Sequence, residues 1–419
     1  MKKIWISLLI LILSLPATAQ SLVRVMHYNL LQFGNSCGNV DINDKYGWLS
    51  TVLNDYQPDI FTVNELNPNI AYSNGIRELS FNYTTAVEYA AFTNFATSDI
   101  VNQCFYNQDK FALVSTDTVF QTNNGLRDIN VYTLYHKPTL DPGVDTTFVY
   151  CIVSHLKAGS SSSDQNQRTI AAGDIMRWIR NNPQADNLLV MGDFNVKSHT
   201  EGAFQEFINH SDPGIALDDP LGLESGWGAA SQSIVYTQST RSGSIGDCGV
   251  AGGVDDRFDF ILTSQDISEG LSGVRYVENS YLAYGNGGNS FNTELQCGGS
   301  SPVSINVCAA LKQVSDHLPV VMELDFGPAT SIRPGILSGV GLRWNKNDGA
   351  LTVKIEVEEI NSHQLNLEVL DLMGAKVAAK QLDTRTQTFD LDLQHLPSAV
   401  YVLRLLDQNG RQLSQKFIW

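Results

Sequence analysis

Basic side chains are scarce in this 419-residue chain: 27 Lys and Arg stand against 44 Asp and Glu, for a formal net charge of −17. The shortage lies between residues 21 and 340, where 16 basic and 34 acidic residues leave −18. Tight polynucleotide binding depends on Lys and Arg neutralising phosphates. So acidic a surface argues against a tight sequence-specific binder. It leaves open an enzyme that turns over quickly, holds substrate locally and uses carboxylates to hold a metal. Cysteine is sparse too, and the six, at 37, 104, 151, 248, 297 and 308, nowhere form C-x-x-C. A zinc cage is therefore not expected. Beyond the first 20 residues no stretch approaches the ~20 apolar residues of a spanning helix, so no stable membrane insertion is expected.

The chain opens MKKIWISLLILILSLPATAQ: two lysines, a short apolar run, then the small-residue site Ala17-Thr18-Ala19. That is a secretory leader over 1–20, too short to span and excluded from the fold. An exported chain permits disulfides. Cys297 and Cys308 bracket a Gly/Ser/Asn-rich loop and are the expected pair; the sequence leaves the other pairings open.

Some 400 residues are more than one core usually holds, which predicts two domains. Residues 21–327 alternate strand-like and amphipathic segments, 328–340 is a Gly/Pro/Ser linker, and 341–419 carries alternating patterns punctuated by Met373-Gly374 and Asn409-Gly410. The last segment predicts a small all-β sandwich. Strands are expected over 23–29, 59–65, 111–116, 129–136, 147–155, 188–193, 257–262 and 320–325. Several are continuous apolar runs, as strands buried on both faces require. Helices are expected over 44–56, 164–180 and 201–210, with Pro183 stopping the second. The Gly/Ser/Asn-rich stretches 222–256 and 279–312 read as long loops, where substrate contacts usually lie.

The informative feature is where polar groups interrupt this pattern. One apolar run ends in Asn29, another in Glu65, a third in His155, and a fourth in Asp193-Phe194-Asn195. Ser315-Asp316-His317 precedes the last strand. Buried strands that deliver carboxylate, amide and imidazole to one rim build a rigid site. Hard oxygen donors of this kind suit Mg²⁺, Mn²⁺ or Ca²⁺. Taken singly, a strand-end Glu is usually just solvated and a lone His is usually structural. The ordered set is what carries the signal.

That set, HYN at 27–29, NE at 64–65, SHLKAG at 154–159, GDFN at 192–195, RFDFI at 257–261 and SDHLPV at 315–320, resembles the endonuclease/exonuclease/phosphatase superfamily. The resemblance implies an α+β fold: a DNase I-like four-layer sandwich of two mainly antiparallel sheets flanked by helices. It also implies phosphodiester hydrolysis with Mg²⁺ or a similar ion. Carried onto this chain, it makes Glu65 the first metal ligand, assisted by Asn29 and, from the opposite side, Asp316. Asp193 and Asn195 would orient the attacking water and hold a phosphoryl oxygen. His317 would be general base or acid, with its ring oriented by Asp259. His155 would stabilise or protonate the transition state. Arg127 is a candidate phosphate contact, because a guanidinium matches phosphate geometry. Where the family often has Gln before its glutamate, this chain has Asn64.

The tail segments 367–374, 396–404 and 415–419 resemble the C-terminal sorting domain of the type IX secretion system, which implies export through the periplasm to the outside or the cell surface and handling by that machinery. Ala399 stands where that family usually has Gly. The expected function is thus a secreted metal-dependent nuclease acting on extracellular DNA or RNA. The alternatives are a sphingomyelinase-like or other phosphate-ester hydrolase of the same superfamily, and a catalytically silent surface binding or adhesion module.

Overall fold

The continuous apolar runs form strands with both faces covered. The computed structural model describes residues 21–38, 40–123, 125–137, 147–223, 227–299 and 301–327, and, of the C-terminal segment, 340–347, 350–357, 364–370, 376–383, 388–397, 400–407 and 412–418. The expected leader, most of the linker 328–340 and the turns at 373–374 and 409–410 lie outside the described residues.

The chain builds one sheet, leaves it for a second, and returns. The first sheet takes β1 (Ser21–Phe33), β2 (Ile60–Leu66), β3 (Val87–Tyr89) and β4 (Val101–Asn107). The second takes β5 (Phe111–Thr118), β6 (Asn130–His136), β7 (Thr147–His155), β8 (Leu188–Asp193), β9 (Leu217–Asp218) and β10 (Asp259–Ser264). Then β11 (Val274–Tyr276), β12 (Leu282–Ala283) and β13 (Val320–Phe326) complete the first. The orders are β11-β13-β1-β2-β4-β3, with β12 on β13, and β5-β6-β7-β8-β10-β9. All pairings are antiparallel except β1 with β2 and β7 with β8.

Alternation along each strand makes the layers. Val23 and Val25 of β1 point between the sheets with Leu134, Val149, Met191 and Met322. Met26 and Tyr28 point outward, under α1 (Ile42–Tyr56), α2 (Ile70–Leu79) and, later in the chain, α6 (Ile305–Val314). The second sheet's outer face is covered by α3 (Ser162–Asn181) and α4 (Gly202–Ile208), through Ile175, Met176, Phe204 and Phe207; α5 (Gln265–Glu269) follows β10 directly. Each such aliphatic or aromatic side chain contributes about 1.5–3 kcal/mol when fully buried. Helix, sheet, sheet and helix make the expected four layers. At α3, Ser161 caps the helix and Asp164 returns a bond to its backbone, a reciprocal capping box one turn ahead of the predicted start.

Between residues 21 and 327 several elements were not expected, the longest being β4, α2 and α6. β4 reads VNQCFYN, and its buried amides Asn102 and Gln103 break the apolar run. α2 carries Gly75 in its middle, and α6 begins inside the stretch read as loop 279–312 and runs past its end. The expected Cys297–Cys308 disulfide is formed, and a second joins Cys37 to Cys248. Cys104 and Cys151 are free and fully buried between the sheets, where burial pushes the thiols up, Cys151 to about 12.

In the C-terminal segment, β14 (Val340–Asn347), β15 (Ala350–Val357) and β18 (Thr388–Asp392) form one antiparallel sheet. Between and after them, β16 (Gln364–Leu370), β17 (Lys376–Asp383), β19 (Val400–Asp407) and β20 (Gln412–Ile418) form the other, in the order β17-β16-β19-β20. Leu351, Val353 and Leu391 of the first meet Leu367, Val369 and Leu403 of the second. The result is an all-β sandwich.

Candidate active site

The two parallel pairs decide where the polar groups gather. A parallel pair sets the C-terminal ends of both strands side by side, so β1 with β2 and β7 with β8 each present two strand ends to one rim. Asn29 is in register with Asn64 on the first sheet. On the second, His155 is in register with Asp193, and Asp193 with Asp259 across the antiparallel pair. His317 comes from the turn leading into β13.

Asn29 joins the two sheets at this rim. Its Nδ2 donates to Glu65 Oε1 at 3.1 Å and to Asp193 Oδ2 at 3.0 Å, while its Oδ1 accepts the Leu31 backbone N–H at 3.0 Å. Glu65 has φ 58°, a left-handed backbone that costs a bulky residue on the order of 1 kcal/mol. The Gln32 N–H, donating to Glu65 Oε2 at 3.0 Å, helps to hold it there. His155 Nε2 lies 3.4 Å from Asp193 Oδ2 and 3.8 Å from Glu65 Oε1. The His317 ring meets Asp259 Oδ2 through Nδ1 at 2.7 Å, and its Nε2 lies 3.8 Å from Asp193 Oδ2. Asp193 thus belongs to two groups, Glu65–His155–Asp193 and Asp193–Asp259–His317, each with its ligand atoms within 4.8 Å of one another.

These groups are buried and shape one another's charge. Burial, with Asp259 and Glu65 nearby, pushes the Asp193 carboxyl up to about 7, although His317 and Asn29 pull it back. Burial also opposes charging of His317, but Asp259 and Asp193 outweigh it and raise the imidazole well above its ordinary value. His155 goes the other way: burial, then the positive fields of Arg127 and His317, hold it well below. One imidazole therefore takes a proton readily and the other resists it.

The donor set fits a hard divalent cation beside Glu65. Two carboxylates and an imidazole converge there, and crowding of buried negative charge is what a cation relieves. Asn29 as placed turns its NH₂ toward the carboxylates. Turning the amide over would set that NH₂ against the Leu31 N–H, so Asn29 braces the pair in this arrangement. Asp316 stands outside both groups: Oδ2 accepts Val250 N–H at 2.7 Å and Gln238 Nε2–H at 3.3 Å, and Oδ1 is buried with no hydrogen-bond partner.

Of the other predicted residues, Asn195, with φ 52°, follows the cluster and donates its N–H to Asp193 Oδ1 at 3.0 Å. Arg127 donates to the His155 carbonyl at 3.1 Å and lines, with His155, Leu156 and Lys157, a small open cleft. Sequence reasoning gave no role to four buried or half-buried polar groups. Gln238 sits 2.7 Å from His317 Nε2. Asn64 Oδ1 accepts the Asp193 N–H at 2.8 Å and lies 3.0 Å from His27 Nε2, while its Nδ2 donates to Asn102 Oδ1 at 2.7 Å. Asn64 stood in the NE motif without a role, and the signal for Asn102 was a carboxamide interrupting an apolar run. Gln238 lay in a stretch with no periodicity at all.

By sequence, residues 26–317 match the Endonuclease/Exonuclease/phosphatase family, and 346–419 match the Secretion system C-terminal sorting domain. A search of curated proteins finds no match. Among solved structures, the human Nocturnin catalytic domain with bound sulfate anion is 17% identical, covering 74% of this chain and 97% of that one, with a TM-score of 0.47. Danio rerio TDP2 complexed with single-strand DNA product is 16% identical, over 73% and 99%, with a TM-score of 0.47. The endonuclease/exonuclease/phosphatase from Bacteroides vulgatus is 15% identical, over 73% and 99%, with a TM-score of 0.48. The family match runs from Met26 in β1 to His317 before β13 and so spans every residue of the cluster, and this chain belongs to the endonuclease/exonuclease/phosphatase family of phosphoric ester hydrolases.

Proposed function

We propose that this protein is an exported, divalent-cation-dependent phosphodiesterase that hydrolyses extracellular DNA or RNA. In this reading 21–327 is the catalytic unit, 1–20 a leader removed on export, and 341–419 an address joined through 328–340 and read by the type IX machinery. The observation that carries the reading is the shared carboxylate: Asp193 stands at once beside Glu65 and His155 and beside Asp259 and His317.

Phosphodiester hydrolysis needs a positioned water, charge relief at the phosphoryl oxygens and help for the leaving oxygen. Glu65 would hold the cation. Asn29 keeps that carboxylate aimed and would add an oxygen only with its amide turned over, and Asp316, whose Oδ1 has no hydrogen-bond partner, would assist from the opposite side. A bound Mg²⁺, Mn²⁺ or Ca²⁺ supplies the charge relief. Asp193 and Asn195 orient the attacking water. His317, fixed at Nδ1 by Asp259, holds or moves a proton at Nε2. His155 supports the transition state from the other side of Asp193, and Arg127 reaches a non-bridging oxygen.

The test is hydrolysis of plasmid DNA and of RNA by the purified protein with Mg²⁺, with EDTA, and with His317→Ala. Cutting that is lost in both controls supports the reading. A folded, cation-binding protein that leaves both polymers intact and cleaves sphingomyelin would replace it with the lipid-active alternative. A protein inactive on all three, whose biological effect survives His317→Ala, would make it a binding module.

A further inference from the structure

The turn at 93–99 is pinned far more firmly than an exposed loop requires. Asp128 accepts the Thr93 hydroxyl at 2.7 Å and the Phe95 N–H at 2.8 Å through Oδ2, and the Ala96 N–H at 2.9 Å through Oδ1. Asn130 Nδ2 donates to Thr93 Oγ1 at 2.8 Å. Asn94 closes the turn on itself: its Nδ2 donates to the Ser98 carbonyl at 2.7 Å, and its Oδ1 accepts the Ser98 N–H at 2.9 Å. On the far side Asn35 donates to the Asp99 carbonyl at 3.0 Å.

Both anchors belong to the site. Asp128 follows Arg127 directly, and Arg127 bonds to the His155 carbonyl. Asn35 follows the segment whose Gln32 N–H holds Glu65. At the tip of this turn Phe95 is 79% exposed. A large apolar ring left in water on a rigid support gains nothing for the fold. It offers a contact that needs no further ordering of the protein when a partner arrives.

We propose that Phe95 is a stacking platform for a nucleobase of the substrate strand, next to the phosphate held by Arg127. The inference rests on the nuclease reading above and deepens it. The chemistry of the surroundings selects a base over a lipid. Phe95 is the one ring in the turn 93–99, where every other residue but Ala96 is polar, whereas insertion into a bilayer surface calls for a contiguous apolar face with basic neighbours. Every base has a π face, so stacking adds affinity without demanding a sequence. That suits an acidic protein with few cations to spend on the backbone.

The experiment compares the full protein and its Phe95→Ala and Phe95→Trp variants on two strands with Mg²⁺. One is a short single-stranded oligodeoxynucleotide; the other is the same strand with tetrahydrofuran spacers replacing the bases. The parent is expected to prefer the normal strand, and Phe95→Ala to lose roughly 10-fold in kcat/KM on it, mainly through KM. That variant should also erase the preference over the spacer strand, and Phe95→Trp should restore it. Thermal melting of Phe95→Ala is expected to match the parent, since the ring is exposed. A Phe95→Ala variant that keeps the parent's KM and preference overturns the platform while the nuclease reading stands. A parent that cuts plasmid DNA or RNA but neither strand overturns the platform alone, and one that cuts none of them overturns the nuclease reading and the base with it. Binding to sphingomyelin vesicles that Phe95→Ala abolishes would assign the ring to a lipid surface and overturn the base as occupant.

Discussion

The proton chemistry of the rim turns on a single hydrogen bond, from His317 Nδ1 to Asp259 Oδ2 at 2.7 Å. Asp259→Asn keeps the shape and removes the charge, and should lower kcat roughly 10²- to 10⁴-fold with little change in KM, read from initial rates. Glu65→Gln should weaken Mn²⁺ binding by about 10-fold or more in titration calorimetry. A third residue acts on stability. His27 is fully buried against Thr62 and Asn64, and burial holds its imidazole down to about 4. Below about pH 6.5 the unfolded chain takes up a proton that the folded ring refuses, so stability falls as pH drops from there to about 4, by on the order of 3 kcal/mol. His27→Gln should flatten that acid limb, measured as urea midpoints at pH 7 and pH 4.5. At this scale the sequence was readable wherever a polar group ended an apolar run, as at Asn29, Glu65, His155 and Asp193, and the structure brings these four together. The roles of Asn64 and Asn102 were not readable, because they come from partners on other strands that no local pattern reveals.

Elements were legible in proportion to their apolar continuity. The eight strands expected from such runs are all present, within two residues or so at their inner ends except where β1 runs on to Phe33. β4 escaped because two amides face the interior, and α6 because its Gly- and Ser-rich surroundings masked a short apolar helix. The segment 240–250, which bonds to Asp316, has little secondary structure and is held by other means. Cys248 is bonded to Cys37, Arg241 pairs with Asp247 at 2.6 Å, and the Val250 N–H donates to Asp316. The Cys37–Cys248 bridge closes a sequence separation of 211 residues. Replacing both cysteines by serine should cost up to about 5 kcal/mol of stability by the chain-entropy argument, read as a fall in the denaturation midpoint. Cys297–Cys308 spans only 11 residues, and its loss should cost about 3 kcal/mol.

For the whole molecule, charge and fold speak to different questions. The sandwich tail was legible from its alternating patterns, whereas the four-layer architecture came from the resemblance carried by the ordered motifs, because buried runs alone do not give the order of sheets and helices. No composition argument reaches the substrate, since one rim serves many phosphate esters. Charge does make a prediction about kinetics. A body at −18 over 21–340 cannot neutralise many phosphates at once. Between about 50 and 200 mM salt its kcat/KM on DNA should fall less than about 10-fold, far short of the loss expected for a protein making 6–10 phosphate contacts. Initial rates across a NaCl series measure this directly.

The two free thiols give the molecule a built-in record of its own opening. Cys104 is on one sheet and Cys151 on the other, and both side chains are wholly enclosed in the layer between them. An alkylating reagent cannot reach either while the sheets stay together. Labelling at these positions therefore counts separations of the sandwich and ignores fraying at its loops. Under the export proposed above, the same pair would distinguish a journey made folded from one made as an open chain.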